Sequence, residues 1–347
     1  IPTMNFLEEF GIEVLLGSLT WERIVVDSKP GPRPLSDIKN IELICDTVAL
    51  ASGSSITWDG IVFQACKVAK VLGRSVFLVD LNRGVKGVVR GLSELISRYD
   101  IDLVVGVDGG GDVLAKGGEP GLRSPLADMM CLSAIAQLPV RTIIGVYGFG
   151  SDGELTEGEI LSRLAEVAFK GGYLGAKGLT KKDIELLKYL SKYVESEASL
   201  LPIYAAEGKM GEFTIREGTR KVYLSIISTI TFYLDAKILY ELSPMAKAIS
   251  KTGSIIEAKL DRRHGPVATI LIRKGTLRIG EPFVCGATSG KVRLLLDERG
   301  NRKTDAKPSD PVQVVGFDSL PQAADIFAVV NDVVNTNRYS NSLQYGR

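Results

Sequence analysis

The stretch VVGVDGGGDVLAKGGEPGLRSPLADMM, residues 104–130, decides the fold predicted for the larger part of this chain. An apolar run ends at Asp108, three glycines and Asp112 follow, and a helical pattern begins beyond Ser124. A continuous apolar run is typical of a strand buried on both faces. Ser followed by Pro is a common helix start. This order of strand, glycine turn and helix predicts one unit of an α/β domain, whose ligands bind where the strands end.

The same alternation continues on both sides of this stretch. Apolar runs at residues 12–18, 75–81, 101–108 and 140–150 predict strands, and 222–236 predicts a buried strand or packed core element. Helical spacing predicts helices at residues 60–73, 87–100, 124–138, 155–172 and 179–198. Helices between strands favour a mostly parallel sheet covered on both faces. We therefore expect residues 1–250 to form a Rossmann-like, three-layer α/β domain with a mostly parallel sheet.

A different pattern begins near residue 250. Short β-rich runs separated by Gly, Pro and Asp turns predict a small antiparallel β-barrel over residues 251–332. The polar, Asn-rich residues 333–347 predict a tail. Residues 251–347 are basic on balance, whereas residues 1–250 are acidic.

Composition excludes several classes of protein. A net charge of +1 gives no field that favours DNA or a membrane surface, and no apolar run is long enough for a membrane span. The 4 cysteines form no CxxC pair, which indicates a reducing, cytoplasmic location. The single histidine is His264, so residues 1–250 hold neither a His-dependent catalytic triad nor a His-ligated metal.

The chemistry of the glycine turn points to a phosphorylated ligand. Successive glycine amides and a helix N-terminus attract anions, whereas Asp108 and Asp112 repel them unless Mg²⁺ intervenes or they bind sugar hydroxyls. We therefore predict a nucleotide or phosphorylated small molecule, with Mg²⁺ as the candidate cofactor and no metal ligands assigned. The predicted ligand-binding residues are Asp108, Gly109, Gly110, Gly111, Asp112, Glu119, Ser124, Asp128, Asp80, Arg83 and Trp21.

Alternatives remain open at each of these positions. The glycine loop could merely turn the chain, with its aspartates capping nearby amides. Trp21 could stack on a base or pack in the core. Polar residues after two other strands, among them Asp80 and Asp152 with Glu154, could share the crevice or cap helices. Neither GxGxxG after the 101–108 strand nor GxxxxGK[ST] anywhere is present, which argues against dinucleotide-binding and P-loop sites.

Two family resemblances follow from longer motifs. TWERIVVDSKPGPRPL, LVVGVDGGGDVL and GGEPGLRSPLADMMCLSA resemble a mainly archaeal α/β family of unknown function, over residues 1–249. This resemblance implies a fold and a pocket but no reaction. Members of that family carry a further Gly- and Asp-rich segment after a first strand, so the resemblance implies that part of the site is missing from this sequence.

The second resemblance covers residues 253–330. GPVAT, KGTLRIGEPFVCG and DSLPQAADIF are similar to the β-barrel that follows the GTPase domain in bacterial-type translation initiation factor two. In those factors the barrel touches small-subunit ribosomal RNA. The resemblance therefore implies RNA contact through Arg262, Arg263 and His264, the alternative being an ordinary solvated turn.

The sequence is compatible with three alternative functions. The first is an α/β protein that binds a nucleotide or phosphorylated small molecule, joined to a translation-factor barrel. The second is a ribosome- or RNA-associated module that acts through the barrel. The third is an engineered chimera without joint function, since the two families meet within a few residues. No reaction follows from the residues, so the sequence leaves open whether the chain is an enzyme.

Overall fold

The computed structural model describes residues 1–23, 26–27, 32–117, 119–122, 125–216, 218, 220–248, 252–261, 263–285, 288–297, 300–307, 310–321 and 326–329. The predicted tail, residues 333–347, therefore lies outside the described residues. Among the described residues, no helix combines the length and apolar character needed to cross a bilayer.

Helices and strands are interspersed up to residue 248. They are α1 (Pro2–Glu9), β1 (Leu16–Leu19), β2 (Ile38–Leu43), β3 (Val48–Thr57), α2 (Gln64–Leu72), β4 (Val76–Val79), α3 (Gly84–Tyr99), β5 (Leu103–Gly109), α4 (Leu126–Ile135), β6 (Arg141–Tyr147), α5 (Glu157–Phe169), β7 (Tyr173–Gly178), α6 (Lys181–Leu190), α7 (Glu197–Ala206), β8 (Gly211–Ile215), β9 (Arg220–Leu224), β10 (Ile230–Asp235), α8 (Ala236–Leu242) and α9 (Pro244–Ala248).

The described residues beyond 251 form strands and no helix. They are β11 (Thr252–Asp261), β12 (Gly265–Lys274), β13 (Leu277–Arg278), β14 (Pro282–Cys285), β15 (Thr288–Leu296), β16 (Arg302–Lys303), β17 (Asp305–Ala306), β18 (Pro311–Phe317) and β19 (Ile326–Val329).

The strands before residue 250 form two four-stranded sheets and a hairpin. The sheet orders are β1-β4-β3-β2 and β5-β6-β10-β7, and β8 pairs with β9. Among the described strands here, parallel pairing joins β1 to β4 and β5 to β6, and the other pairs are antiparallel. The mixed α/β character is confirmed, but the prediction of a mostly parallel sheet is wrong.

The reason lies in two stretches of the sequence. Residues 38–57 form the hairpin β2–β3, whose short turn permits only antiparallel pairing, and β3 then continues antiparallel to β4. Residues 222–236, predicted as one element, are divided by a 3-10 turn at Ile226–Thr229. The strand after that turn, β10, runs antiparallel between β6 and β7. The Rossmann-like layering stays a prediction.

The helices follow the sequence signals closely, with one exception. α5 begins with a capping box between Thr156 and Glu159, and α2 ends at Gly73 in the left-handed conformation. The helix predicted over residues 179–198 is instead two helices, α6 and α7. Two side chains from distant parts of the sequence hydrogen-bond to the backbone of Glu195, which lies between these helices. Arg23 donates to the Glu195 carbonyl at 2.6 Å, and the Glu195 amide donates to Gln64 at 3.1 Å.

One hydrophobic core joins the two sheets. It contains Phe77 from the first sheet, Ile144 from the second, and Leu95 and Met129 from the helices between them. A separate core around Phe283 and Phe327 lies in the second part. The first core holds the strand ends of β5 and β6 at fixed positions, which matters for the site described below.

The second part is antiparallel, as predicted. Its main sheet has the order β14-β19-β11-β12-β18-β15-β16, and β14 also pairs with β15. Closure into a barrel stays a prediction.

Candidate functional site

Two loops meet at the carboxyl ends of β5 and β6. These strands pair in parallel, with Asp108 beside Val146, so both chains leave the sheet at the same edge. The Gly110 amide donates to the Tyr147 carbonyl at 2.8 Å, and the Gly150 amide donates to the Gly110 carbonyl at 2.7 Å. The two loops are therefore joined backbone to backbone.

Gly110 is a glycine for steric and conformational reasons. Its φ is +130°, which disfavours any residue with a side chain. A Cβ atom at this position would lie 2.1 Å from Cγ of Asp152. Only glycine lets the Asp152 carboxyl pack directly against the turn between Asp108 and Asp112.

Three aspartates converge beside this turn. Asp108 is the penultimate residue of β5, Asp112 begins a short 3-10 helix, and Asp128 lies in the first turn of α4. One carboxylate oxygen from each lies within 4.8 Å of the others. We call Asp108, Asp112 and Asp128 the acidic cluster.

Burial makes this concentration of negative charge costly. Removal from water raises the pKa of Asp108 to about 6, although hydrogen bonds from Asp112, Val113 and Gly111 oppose the rise. Burial, reinforced by the charge of Asp108, also raises the pKa values of Asp112 and Asp128 well above the usual range. A positive ion in the cluster would offset this repulsion.

The loop after β6 adds two more carboxyl groups. Asp152 is 6% exposed; its Oδ1 accepts from the Glu154 amide at 3.1 Å, and its Oδ2 has no hydrogen-bond partner among the residues that the structure describes. Burial, followed by the charge of Asp108, raises the pKa of Asp152 to about 7. Arg220 from β9 donates to Glu154 at 2.9 Å and to the Asp152 carbonyl at 3.1 Å.

Sequence reasoning noticed Asp152 and Glu154 at a strand end but missed Arg220. The arginine lies 66 residues beyond Glu154 in the chain, on the hairpin β8–β9. No local pattern marks it, since its neighbours resemble those of any exposed hairpin.

The other predicted ligand residues have varied surroundings. Glu119 accepts from the amides of Lys116 and Gly117, each at 2.8 Å, and so caps its own loop. Asp80, after β4 of the other sheet, accepts from the Asn82 amide at 2.7 Å.

The remaining predicted ligand-binding residues also differ in their surroundings. Trp21 is partly buried against the large core, whereas Arg83 is exposed before α3. Gly109 and Gly111 flank Gly110 in the turn, and Ser124 lies outside the described residues. The structure thus places Asp108, Asp112 and Asp128 together with the glycine turn.

Two of the three predicted RNA-binding residues lie in the turn between β11 and β12. Arg263 and His264 are exposed there, and their amides donate to Asp261 at 2.8 and 2.9 Å. The His264 ring lies 3.1 Å from the same carboxylate. Arg262 lies outside the described residues.

Comparison with protein families divides the chain in two. A model described as "Protein of unknown function (DUF1152)" matches residues 1–270. A model for elongation factor G domain 2 matches residues 250–330. The chain therefore combines sequence characteristic of two families, as the motifs predicted.

Curated relatives match a minor portion of the chain. Translation initiation factor IF-2 of Solibacter usitatus is 53% identical over 89 residues, which are 26% of this chain and 9% of the factor. IF-2 of Chlorobium phaeobacteroides is 40% identical over 136 residues, which are 39% of this chain and 14% of the factor. The chain thus spans a small fraction of the length of these relatives.

Among solved structures, the chain is similar to GDP-bound aIF5B from Aeropyrum pernix. The TM-score is 0.22 at 12% identity, and the match covers 78% of this chain and 46% of that one.

Proposed function

The chain belongs to the DUF1152 family, and we propose that this member binds Mg²⁺ together with a nucleotide or phosphorylated small molecule at the acidic cluster. The convergence of Asp108, Asp112 and Asp128 within 4.8 Å carries this proposal. The cluster lies where ligands of α/β sheets usually bind, at the carboxyl ends of adjacent parallel strands.

The spread of the carboxylate oxygens fits a hard divalent cation. Oxygens on opposite sides of Mg²⁺ lie about 4.2 Å apart, and those across Ca²⁺ about 4.8 Å apart. Small side-chain rotations would bring the three aspartates from their present spacing onto such an ion. Mg²⁺ usually keeps several water ligands and shares them with substrate phosphates. A phosphorylated ligand is therefore the natural partner of this cluster.

Asp152 supports the proposal independently. Its Oδ2 is buried beside the turn that joins Asp108 to Asp112, and no group in the described part of the chain hydrogen-bonds to it. A buried, unpartnered carboxylate oxygen is costly in free energy. A water of a hydrated cation, or a hydroxyl of the ligand, would supply the missing hydrogen bond.

Calorimetric titration of the full chain with Mg²⁺ and Mn²⁺ tests the cation site. We expect saturable binding, weakened at least about tenfold in Asp112→Asn because one charged ligand is lost. Asp102→Asn is the matched control, since this aspartate is exposed just before β5. Absence of binding at millimolar cation, or equal affinity in both variants, would refute the site.

The phosphorylated ligand is tested in a second titration. Adenosine diphosphate and ribose 5-phosphate are added with and without saturating Mg²⁺. We expect binding of at least one of them to depend on Mg²⁺ and to be lost in Asp112→Asn. Equal binding with and without Mg²⁺ would show that the ligand does not bind at the acidic cluster, and would contradict the proposal.

The second candidate function is association with RNA through the translation-factor part. The 53% identity to an IF-2 over 89 residues favours it. Arg263 and His264 are exposed at one turn of that part. If they touch RNA phosphates, binding of a small-subunit ribosomal RNA fragment should weaken steeply with salt and weaken further in Arg263→Ala. Salt-insensitive binding would count against this function.

We also propose the finer architecture expected from the sequence. The unit β5–α4–β6, with parallel strands, supports a Rossmann-like layering of residues 1–250. The pairing of β14 with both β15 and β19 supports a barrel within residues 251–332. The 4 cysteines and the lack of any CxxC spacing fit a cytoplasmic location. Adjoining matches to two families are compatible with either a natural fusion or an engineered chimera.

A further inference from the structure

Three arginines from distant parts of the chain lie near one another, around Glu197 and Glu154. Arg23 follows β1, Arg216 follows β8 and Arg220 begins β9. Their side chains are 30%, 28% and 21% exposed, so each guanidinium group is partly withdrawn from water. We call these three residues the arginine cluster.

A carboxylate of the chain itself lies between two of them. Glu197, in the first turn of α7, has its Oε2 4.0 Å from both Arg23 Nη1 and Arg216 Nε. The Arg216 amide donates to the same oxygen at 3.2 Å. This oxygen thus accepts from one backbone amide and lies 4.0 Å from two guanidinium groups, and these are the kinds of group that bind an oxyanion. The two 4.0 Å separations leave both ion pairs loose.

We propose that the arginine cluster binds a phosphate group of the ligand and that Glu197 occupies this phosphate site when the ligand is absent. A phosphate has more oxygens and more charge than a carboxylate, so it can satisfy both guanidinium groups closely. Glu197 can leave without great cost, because its side chain is 47% exposed and can turn to solvent.

Charges of both signs lie near Arg216, with Arg23 and Arg220 on one side of the balance and Glu197 and Glu154 on the other. Burial, together with the charges of Arg23 and Arg220, lowers the pKa of Arg216. A bound dianion would relieve the repulsion between these guanidinium groups.

Arg220 connects the two clusters. It donates to Glu154 and to the Asp152 carbonyl, on the loop that packs against Gly110 of the cation site. A ligand could therefore place one end on the cation and a phosphate on the arginines. This assignment rests on the proposed function, because it takes the cation and the phosphate to belong to one bound ligand.

Calorimetry of the full chain with inorganic pyrophosphate, with and without Mg²⁺, tests the inference. We expect the double variant Arg23→Gln/Arg216→Gln to weaken pyrophosphate binding at least about tenfold, because two charge-assisted contacts are lost. Glu197→Gln should strengthen it about threefold or more, since the competing carboxylate is removed. Arg98→Gln, at an exposed arginine paired with Glu42 on another surface, should change neither.

The outcomes separate this inference from the proposed function. Normal Mg²⁺ binding with pyrophosphate affinity unchanged in the double variant would overturn the arginine site and leave the cation site standing. Unchanged or weaker pyrophosphate binding in Glu197→Gln would overturn the role of Glu197. Failure of the unaltered chain to bind Mg²⁺ would instead refute the proposed function. Circular dichroism of each variant shows that the fold is retained.

Discussion

The acidic cluster and the arginine cluster are neighbours that are held in place by different means. Backbone hydrogen bonds at Gly110 and Gly150 fix the loops around the acidic cluster. Long side chains from three separate elements form the arginine cluster, and such side chains can change rotamer at little cost. The comparison teaches that the turn beside the acidic cluster is fixed by backbone hydrogen bonds, whereas the side chains of the arginine cluster can rearrange.

The largest expected effect on stability comes from a substitution in the glycine turn beside the acidic cluster. Gly110→Ala places a Cβ 2.1 Å from Asp152 Cγ, at a φ of +130°. Backbone strain and overpacking together should lower the free energy of unfolding by about 4 kcal/mol. Urea denaturation followed by circular dichroism measures this loss, and Mg²⁺ titration of the folded variant should show weakened binding.

Gly109→Ala is the matched control for that substitution. A Cβ at Gly109 would have no atom within 4 Å, so we expect a change below about 1 kcal/mol. Equal losses in the two variants would show that the turn is not rigid.

The next largest effect on stability is expected at Asp183, a buried carboxylate with both oxygens hydrogen-bonded. Asp183 is fully buried and accepts from Lys177 Nζ at 2.6 Å, Asn5 Nδ2 at 2.8 Å and the Thr180 amide at 2.9 Å. Burial alone would raise the pKa of Asp183, but the hydrogen bonds from Lys177, Thr180 and Asn5 outweigh it and lower the pKa. Asp183→Asn should therefore cost about 2–3 kcal/mol at neutral pH.

The stability lost in Asp183→Asn should become smaller at acidic pH. Because the folded-state pKa of Asp183 is below its unfolded value, its stabilisation is present at neutral pH and is lost as the pH falls through the folded pKa. The difference between wild type and Asp183→Asn should be constant near neutrality and should shrink below about pH 4. Urea denaturation at several pH values measures it, and a difference that grows on acidification would contradict the prediction.

The smallest effect concerns Arg220, which joins the two clusters. Arg220→Gln removes a charge that lies 2.9 Å from the nearly buried Glu154, and should cost about 1–2 kcal/mol of stability. Because a positive charge near the cation site is lost, Mg²⁺ affinity should rise. Arg220→Lys keeps the charge and should retain the weaker affinity of the wild type. Lower Mg²⁺ affinity in Arg220→Gln would show that Arg220 supports the cation site in another way.

Much of the acidic cluster could be predicted from the sequence because it is local. Asp108, Asp112 and Asp128 lie within one strand, turn and helix unit, so the alternation of apolar and polar residues already places them near one another. The three-residue spacing in α5 likewise predicts its capping box. Local backbone preferences determine these features, and local sequence contains them.

The arginine cluster and the sheet pairing could not be predicted in the same way. Arg23 and Arg216 meet at Glu197 only because a loop, a hairpin and a helix are packed together by the tertiary fold. The break between α6 and α7 has a similar origin, since Arg23 and Gln64 bind the backbone of Glu195. Strand direction depends on the hairpin at residues 38–57 in the first sheet and on the turn before β10 in the second, and neither is apparent from the alternation of apolar segments.

The paired hydrogen bonds of Gly110 also have a kinetic consequence. The Gly110 amide binds the Tyr147 carbonyl while the Gly110 carbonyl accepts from Gly150, so neither loop can open without breaking bonds to the other. Amide hydrogen exchange at these two glycines should therefore occur in a single opening event and slow together when an ion binds. Arg220 would transmit that slowing to the β8–β9 hairpin, which makes the hairpin amides a reporter of occupancy at a distance.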